Sequence, residues 1–300
     1  MTFHVIGFGA LNIDKLYKVN MIAKEEEEAF VIDFKESPGG SAANTIVGLA
    51  RLELKTGYIG KIAEDREGEL LVNDFRKENV DTSGIIISRK GRSGVVMGYV
   101  DGKGERALYV DPGVNDWLEF KEINLDYAAD TEFLHLTSFV GEKPFKAQKE
   151  LIKQLSDVKI SFDPGALYAR KSLKSLKPII KRSFVVLPNE NEIRLLTGKD
   201  YEMGSKILIK KGVSVVAVKL GERGCYVTNG KERHLVEPYE KKLVDTTGAG
   251  DAFCAGFLYG LIKGRDLYNC GKLGNFVAAR CISKMGARTG LPRLSDLKGM

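Results

Sequence analysis

Short apolar runs alternate with helix-patterned stretches along nearly the whole 300-residue chain. That alternation limits the fold class before any motif is read. Val5–Phe8, Lys55–Ile59, Phe133–Leu136, Lys159–Phe162, Phe184–Leu187 and Val213–Val218 read as strands. Residues 42–52, 67–79, 144–156, 189–197, 201–211, 251–263 and 267–284 carry helical patterns. Strand–helix alternation at this spacing predicts an α/β fold, an open and mostly parallel central sheet with helices on both faces. In such sheets ligands bind outside the carboxyl ends of the strands. An apolar content of 43% is ample for the core.

Two segments break the pattern. Residues 13–36 and 91–111 read as strand and turn, and Asp101-Gly102-Lys103-Gly104 between Val95–Val100 and Ala107–Val110 is a hairpin signal. Neither segment has a helix of its own to cover it. They predict a small β-sheet projecting from a core made of residues 1–12, 37–90 and 112–300, as a lid, a dimer interface or both. Its open edges favour pairing, so a homodimer through this lid is expected.

The stretch richest in chemistry is Asp245-Thr246-Thr247-Gly248-Ala249-Gly250-Asp251, followed at once by the helical pattern 252–263. Glycines let the backbone approach a ligand closely, and a helix N-terminus offers unpartnered N–H groups to an anion. A phosphate site alone has no use for the carboxylate of Asp251. A phosphoryl-transfer site does, as the base that takes the proton of an attacking hydroxyl. The plainer reading is a Gly-rich turn with Asp251 as helix N-cap. Asn189 and Glu192, just after the strand at Phe184–Leu187, are either a metal-facing pair or ordinary first-turn helix residues. Asp14 follows a strand, where it is either a ligand for two sugar hydroxyls or a turn residue leading into the lid.

Other classes are set aside on composition. The net charge of +6 is dispersed, with no basic helix, which disfavours nucleic acid. No apolar run is long enough for a membrane span, and Met1–Gly7 enters a strand without a leader pattern, so the chain is expected to be cytoplasmic. Cys225, Cys254, Cys270 and Cys281 lack metal-ligand spacing and read as buried small hydrophobes. His4, His135 and His234 are scattered. Gly7-Phe8-Gly9-Ala10-Leu11-Asn12 begins like a dinucleotide-binding turn, but Asn12 stands where the third glycine would be, and lid strand rather than helix follows.

With these features placed, the chain resembles the ribokinase-like, PfkB-type family of carbohydrate and nucleoside kinases, from about residue 5 to about residue 292. Two signatures carry the resemblance: Ser37-Pro38-Gly39-Gly40-Ser41-Ala42-Ala43-Asn44, like the family's Gly-Gly segment at the lid hinge, and Asp245–Asp251, like its C-terminal signature. The resemblance implies Asp251 as catalytic base and Gly248, Ala249 and Gly250 as anion-hole amides. It implies Asn12, Asp14, Gly40 and Asn44 as acceptor ligands. Asn189-Glu190-Asn191-Glu192 matches the family's N-x-x-E motif, which places Asn189 and Glu192 near Mg²⁺ and its waters. Lys219, Gly221 and Gly224 resemble the nucleotide-side loop, Thr246 lies in the signature beside the nucleotide, and Asn275 falls where the adenine pocket forms. Many members bind a monovalent cation such as K⁺, which the resemblance places at Asp245 and Thr247, but Gly290 stands where some carry a hydroxyl side chain. Ser161-Phe162-Asp163-Pro164-Gly165 looks closer to archaeal nucleoside kinases, with Asp163 either an acceptor contact or the initiator of the turn at Pro164.

The expected reaction is transfer of the terminal phosphoryl group of ATP or ADP to a small sugar, ribose-type preferred. A nucleoside acceptor would need an added wall, for which Val96, Tyr99 and Tyr109 are candidates. A sugar phosphate such as ribose 1-phosphate would need cations, for which Arg106 and Arg170-Lys171 are candidates. A non-catalytic sensor of sugar or nucleotide is the remaining alternative, and it is disfavoured by the intact Asp251 and its glycines.

Overall fold

The computed structural model describes residues 1–298. β1 (Phe3–Phe8) leads into β2 (Asn12–Val19) and β3 (Val31–Gly39), and α1 (Ser41–Arg51) returns the chain to the core. β4 (Thr56–Ala63), α2 (Arg66–Lys77), β5 (Val80–Asp81) and β6 (Ile85–Ser88) follow, then β7 (Gly94–Val100) and β8 (Arg106–Asp111). After α3 (Leu125–Ala129) the alternation is regular: β9 (Thr131–Leu136), α4 (Glu142–Gln154), β10 (Lys159–Phe162), α5 (Gly165–Ala169), α6 (Leu173–Arg182) and β11 (Ser183–Val186). α7 (Glu190–Thr197), α8 (Tyr201–Lys210), β12 (Val215–Lys219), β13 (Cys225–Thr228), β14 (Arg233–Val236), α9 (Ala249–Ile262) and α10 (Leu267–Cys281) complete it.

The large sheet has ten strands in the order β14-β13-β12-β11-β10-β9-β1-β4-β5, with β6 pairing further along β4. From β12 to β5 every pairing is parallel. Successive strand residues face opposite layers, as the two-residue period of a strand requires. Val185 packs under α1, α9 and α10, whereas Val186 packs against α4, α6 and α8. α9 is apolar around most of its circumference because α1 and α10 enclose it.

The predicted lid is a four-stranded sheet in the order β3-β2-β7-β8. It extends further inward than the sequence suggests, since Asn12 and Ser37–Gly39 are strand residues. Asn12, Gly39 and Gly94 lie side by side in one register row where the sheet meets the core. Strand alternation also divides the lid's side chains. Asp14, Val96 and Val110 share one face, and Tyr17, Phe34, Tyr99 and Tyr109 share the other. There Tyr17 stacks on Tyr99 at 5.1 Å, and Tyr99 meets Tyr109 edge-on at 6.0 Å.

Four elements depart from expectation. α6 contains Pro178, whose ring hides a helix from pattern reading. β13 and β14 extend the sheet by antiparallel pairing, so Gly221 and Gly224 form the turn of a β-hairpin after β12. α10 stops at Cys281, because the carbonyl of Ile282 accepts the N–H groups of Val244 and Asp245 instead of continuing the helix.

Candidate active site

The Asp245–Asp251 loop is held by its own first residue. Asp245 Oδ1 accepts the N–H of Thr247 at 2.9 Å and its hydroxyl at 2.7 Å, while Oδ2 accepts the N–H of Gly286 at 2.8 Å. Burial alone would raise the Asp245 pKa, but these donors outweigh it and hold the carboxyl below its ordinary value. Gly248 follows at φ 77°, where a β-carbon would lie 2.6 Å from that of Ala287. Gly248, not Asp251, is the N-cap of α9, and Asp251 sits in the first turn. The first N–H groups of α9, which lack partners within the helix, therefore border the same space as a carboxylate.

That space is a cavity of about 330 Å³ lined by residues brought from widely separated parts of the chain. Asn12 and Asp14 come from β2, Gly40 and Asn44 from the start of α1, Thr247, Gly248 and Asp251 from the loop and α9, and Val96 and Val110 from the lid. Asn115, Asp116, Thr137 and Ser138 also line it and were not legible in the sequence. Asn115 and Asp116 sit in a short 3₁₀ turn, Gly113–Trp117, that has no periodic signature. Asn115 supports the lid root, since its amide bonds both backbone groups of Leu11 and reaches Asn12 Oδ1 at 3.2 Å.

Asp251 is the most perturbed acid of this cavity. Its Oδ2 accepts Asn44 Nδ2 at 2.8 Å. Burial pushes its pKa up to about 7, an effect opposed by the Asn44 hydrogen bond, increased by the nearby Asp163 charge, and opposed again by Lys219 and Arg288. Asp14 is raised to about 6 by burial, moderated by Arg288 and Arg106.

Beneath the loop lies a second charged group. Asp163 Oδ2 accepts from Lys219 Nζ at 2.7 Å, and both side chains are largely buried. The ion pair engages Asp163, expected as an acceptor ligand or turn initiator, with Lys219. Asp163 also initiates the turn by accepting Gly165 N–H at 3.2 Å, and it does not line the acceptor cavity. Burial would neutralise Lys219, but Asp163 and its neighbours keep it charged. Its ammonium lies directly under Gly250, 3.4 Å from where a β-carbon would be.

The nucleotide-side residues have local structural duties. Asn189 and Glu192 form a reciprocal capping box at the start of α7, with hydrogen bonds of 2.8 and 2.7 Å. Glu192 is raised by burial and by the charge of Asp163. Asn275 donates to the carbonyls of Val236 and Glu237, which ties α10 to the end of β14. Thr246 is exposed, and its carbonyl accepts Ala249 N–H.

The remaining candidates separate cleanly. Arg106 is exposed on the lid and faces Asp14 and Asp245 across an adjoining cavity of about 130 Å³. Arg170 is exposed at the end of α5, and Lys171 pairs with Glu142, so neither lines the acceptor cavity. Tyr99 and Tyr109 pack on the lid face opposite Asp14, which removes them as a wall for a base. Gly290 has no room for a hydroxyl side chain, since a β-carbon there would collide with the carbonyls of Arg280 and Cys281.

The profile of the pfkB family of carbohydrate kinases matches residues 3–294. The chain is 48% identical over 253 residues to an uncharacterized sugar kinase of Archaeoglobus fulgidus, covering 83% of this chain and 100% of the relative. It is 30% identical to an ATP-dependent ribose-1-phosphate kinase of Halopiger xanaduensis, covering 95% of this chain and 94% of the relative. The solved ribokinase of Thermotoga maritima superposes with a TM-score of 0.88 at 26% identity, covering 98% of this chain and 97% of that one.

Proposed function

The chain belongs to the pfkB family of carbohydrate kinases, phosphotransferases with an alcohol acceptor, and from that premise we propose that it phosphorylates a small neutral sugar of ribose type with ATP, using Asp251 as the base. The observation that carries this reading is the Asp251 carboxylate in the acceptor cavity, within the first turn of α9 and next to the N-terminal amides of Gly248 and Gly250. The sugar hydroxyl gives its proton to Asp251 as its oxygen bonds to the terminal phosphorus, and the bond from that phosphorus to the bridging oxygen breaks, releasing ADP. The α9 amides and the buried Lys219 ammonium beneath Gly250 stabilise charge on the transferring oxygens. Asn12, Asp14 and Asn44 orient the acceptor.

Magnesium fits this site as an ion carried mainly by the nucleotide. Among the described residues no group of three or more His, Cys, Asp or Glu side chains is arranged to hold a metal. Mg²⁺ characteristically takes one or two protein contacts plus phosphates and water. Glu192, with Asn189 beside it, would contact its waters, and the bound ion would neutralise phosphate charge. Both oxygens of Asp245 already accept loop donors, and Gly290 excludes a hydroxyl side chain, so a monovalent-cation site is not part of the proposal.

Phosphoryl transfer with Mg²⁺, testing ribose, fructose, ribose 1-phosphate, myo-inositol, cytidine and adenosine against ATP and ADP, tests the reading. Turnover of a neutral sugar supports it, and turnover confined to nucleosides or absent with nucleotide still bound overturns it. One observation favours a second acceptor class. The adjoining cavity is lined by Lys35 and Arg106, and it meets the acceptor cavity at Asp14, Val96 and Thr247. A phosphate on the acceptor would fit there, as the name of the Halopiger relative suggests. In that case Arg106→Ala raises KM for ribose 1-phosphate about tenfold or more, and KM for ribose is unchanged. Equal KM values for the phosphorylated acceptor in both proteins would assign Arg106 to the surface.

A further inference from the structure

Asn44 occupies an unusual place in this site. It lies on α1, is only 6% exposed, and uses both ends of its amide. Nδ2 donates to Asp251 Oδ2 at 2.8 Å, and Oδ1 accepts Arg288 Nε at 2.7 Å. The two ends of an asparagine amide are nearly identical in shape and opposite in chemistry. A guanidinium only donates, so it admits only the carbonyl end.

Arg288 is itself fixed. Its guanidinium is paired with Asp74 on α2, lies 5.9 Å over the Phe75 ring and approaches the Gly39 carbonyl at 3.5 Å. The turn that carries it also anchors the loop, through the Gly286 N–H on Asp245 and through Ala287 against Gly248. We propose that Asp74, Arg288 and Asn44 form a positioning relay that selects the amide end presented to Asp251 and keeps that carboxylate ready to accept a proton. The inference rests on the reading of Asp251 as base. A reversed Asn44 would set carbonyl against carboxylate and NH₂ against guanidinium, losing two charge-assisted hydrogen bonds. In the observed orientation Oδ2 is occupied, which leaves Oδ1 for the proton of the acceptor.

Other groups also face Asp251: Lys219 from β12, Asp163 after β10, Tyr58 from β4, Cys254 from α9 and Cys281 at the end of α10. None of them changes in the variants below, so the relay's own contribution can be isolated.

The test is a ¹³C NMR titration of aspartate-labelled protein without ligand, in which the Asp251 carboxyl signal is identified by its loss in Asp251→Asn. Arg288→Met should move the Asp251 midpoint up by about one pH unit, because a nearby cation and an oriented donor are lost. Asp74→Asn should move it down, because Arg288 is no longer neutralised. Arg288→Lys should restore most of the wild-type midpoint. Alongside, Arg288→Met should lower kcat about tenfold for the best acceptor of the panel, with KM for ATP unchanged. Midpoints that stay at the wild-type value, or that move the same way in Arg288→Met and Asp74→Asn, overturn the relay. If Arg288→Met does not fold, the direction found for Asp74→Asn decides alone. An intact relay in a protein that turns over no acceptor would instead count against the kinase reading, so the two failures are distinguishable.

Discussion

Asp251→Asn lowers kcat by about 10²–10⁴-fold while KM for ATP stays within about twofold of the parent. The amide preserves the shape of the side chain and removes its capacity to take a proton. Asp251 lies in the acceptor cavity, so nucleotide affinity has little reason to change. Turnover retained within about fivefold would take Asp251 out of the reaction. The pH dependence follows from the same residue. A base must be deprotonated, and burial places the Asp251 pKa at about 7, so kcat of the parent should climb as pH rises from 6 to 8. A carboxyl raised in the folded state above its ordinary value of 3.8 binds a proton more tightly folded than unfolded. Its contribution to stability is therefore fully present below pH 3.8 and declines as pH rises through 7. Asp251→Asn removes that penalty and should raise Tm at pH 8 by about 2 °C or more, an advantage that disappears at pH 4. Equal Tm differences at both pH values would count against a strongly raised carboxyl.

Gly248→Ala has the other large effect. At φ 77° an L side chain is strained by about 1–2 kcal/mol, and here the added carbon would also lie 2.6 Å from the Ala287 β-carbon and 2.7 Å from its α-carbon. Ala287 cannot yield easily, because the adjacent Gly286 N–H is fixed on Asp245. The loop must shift, and the N-terminal amides of α9 shift with it. Losing one well-placed donor in a comparable anion hole costs about 10²–10³-fold in kcat, so at least that loss is expected, with a folded protein by circular dichroism. Near-parental kcat in Gly248→Ala would show that transfer does not depend on the geometry of this loop.

The sequence makes some of this site readable and hides the rest for identifiable reasons. Asp245–Asp251 stands out because its glycines, carboxylates and following helix are contiguous. Asn44 is found through its neighbours Gly39 and Gly40, and the parallel core through the regular spacing of its apolar runs. Asp116 and Asn115 escape notice because a single 3₁₀ turn has no repeating pattern. Arg288 escapes notice because it is one of many basic residues, and only the fold brings it to Asn44, 244 positions away. Asp163 and Lys219 are individually visible, but their pairing across 56 positions is not. Asn189 and Glu192 show the converse. Their spacing is the same for a capping box and for a metal-facing pair, and the structure shows the box.

The four cysteines give the molecule a practical property. All are fully buried, and burial raises their thiols, three of them to about 12, so thiolate is scarce at neutral pH. Maleimide dyes should therefore find almost no target on the native protein. Lys103→Cys would add one reactive group at the exposed β7–β8 turn, on the far side of the lid from the Asn12–Gly39–Gly94 row. With no endogenous thiol to remove, a single fluorophore there would report the angle of that sheet in an otherwise unaltered enzyme, one candidate acceptor at a time.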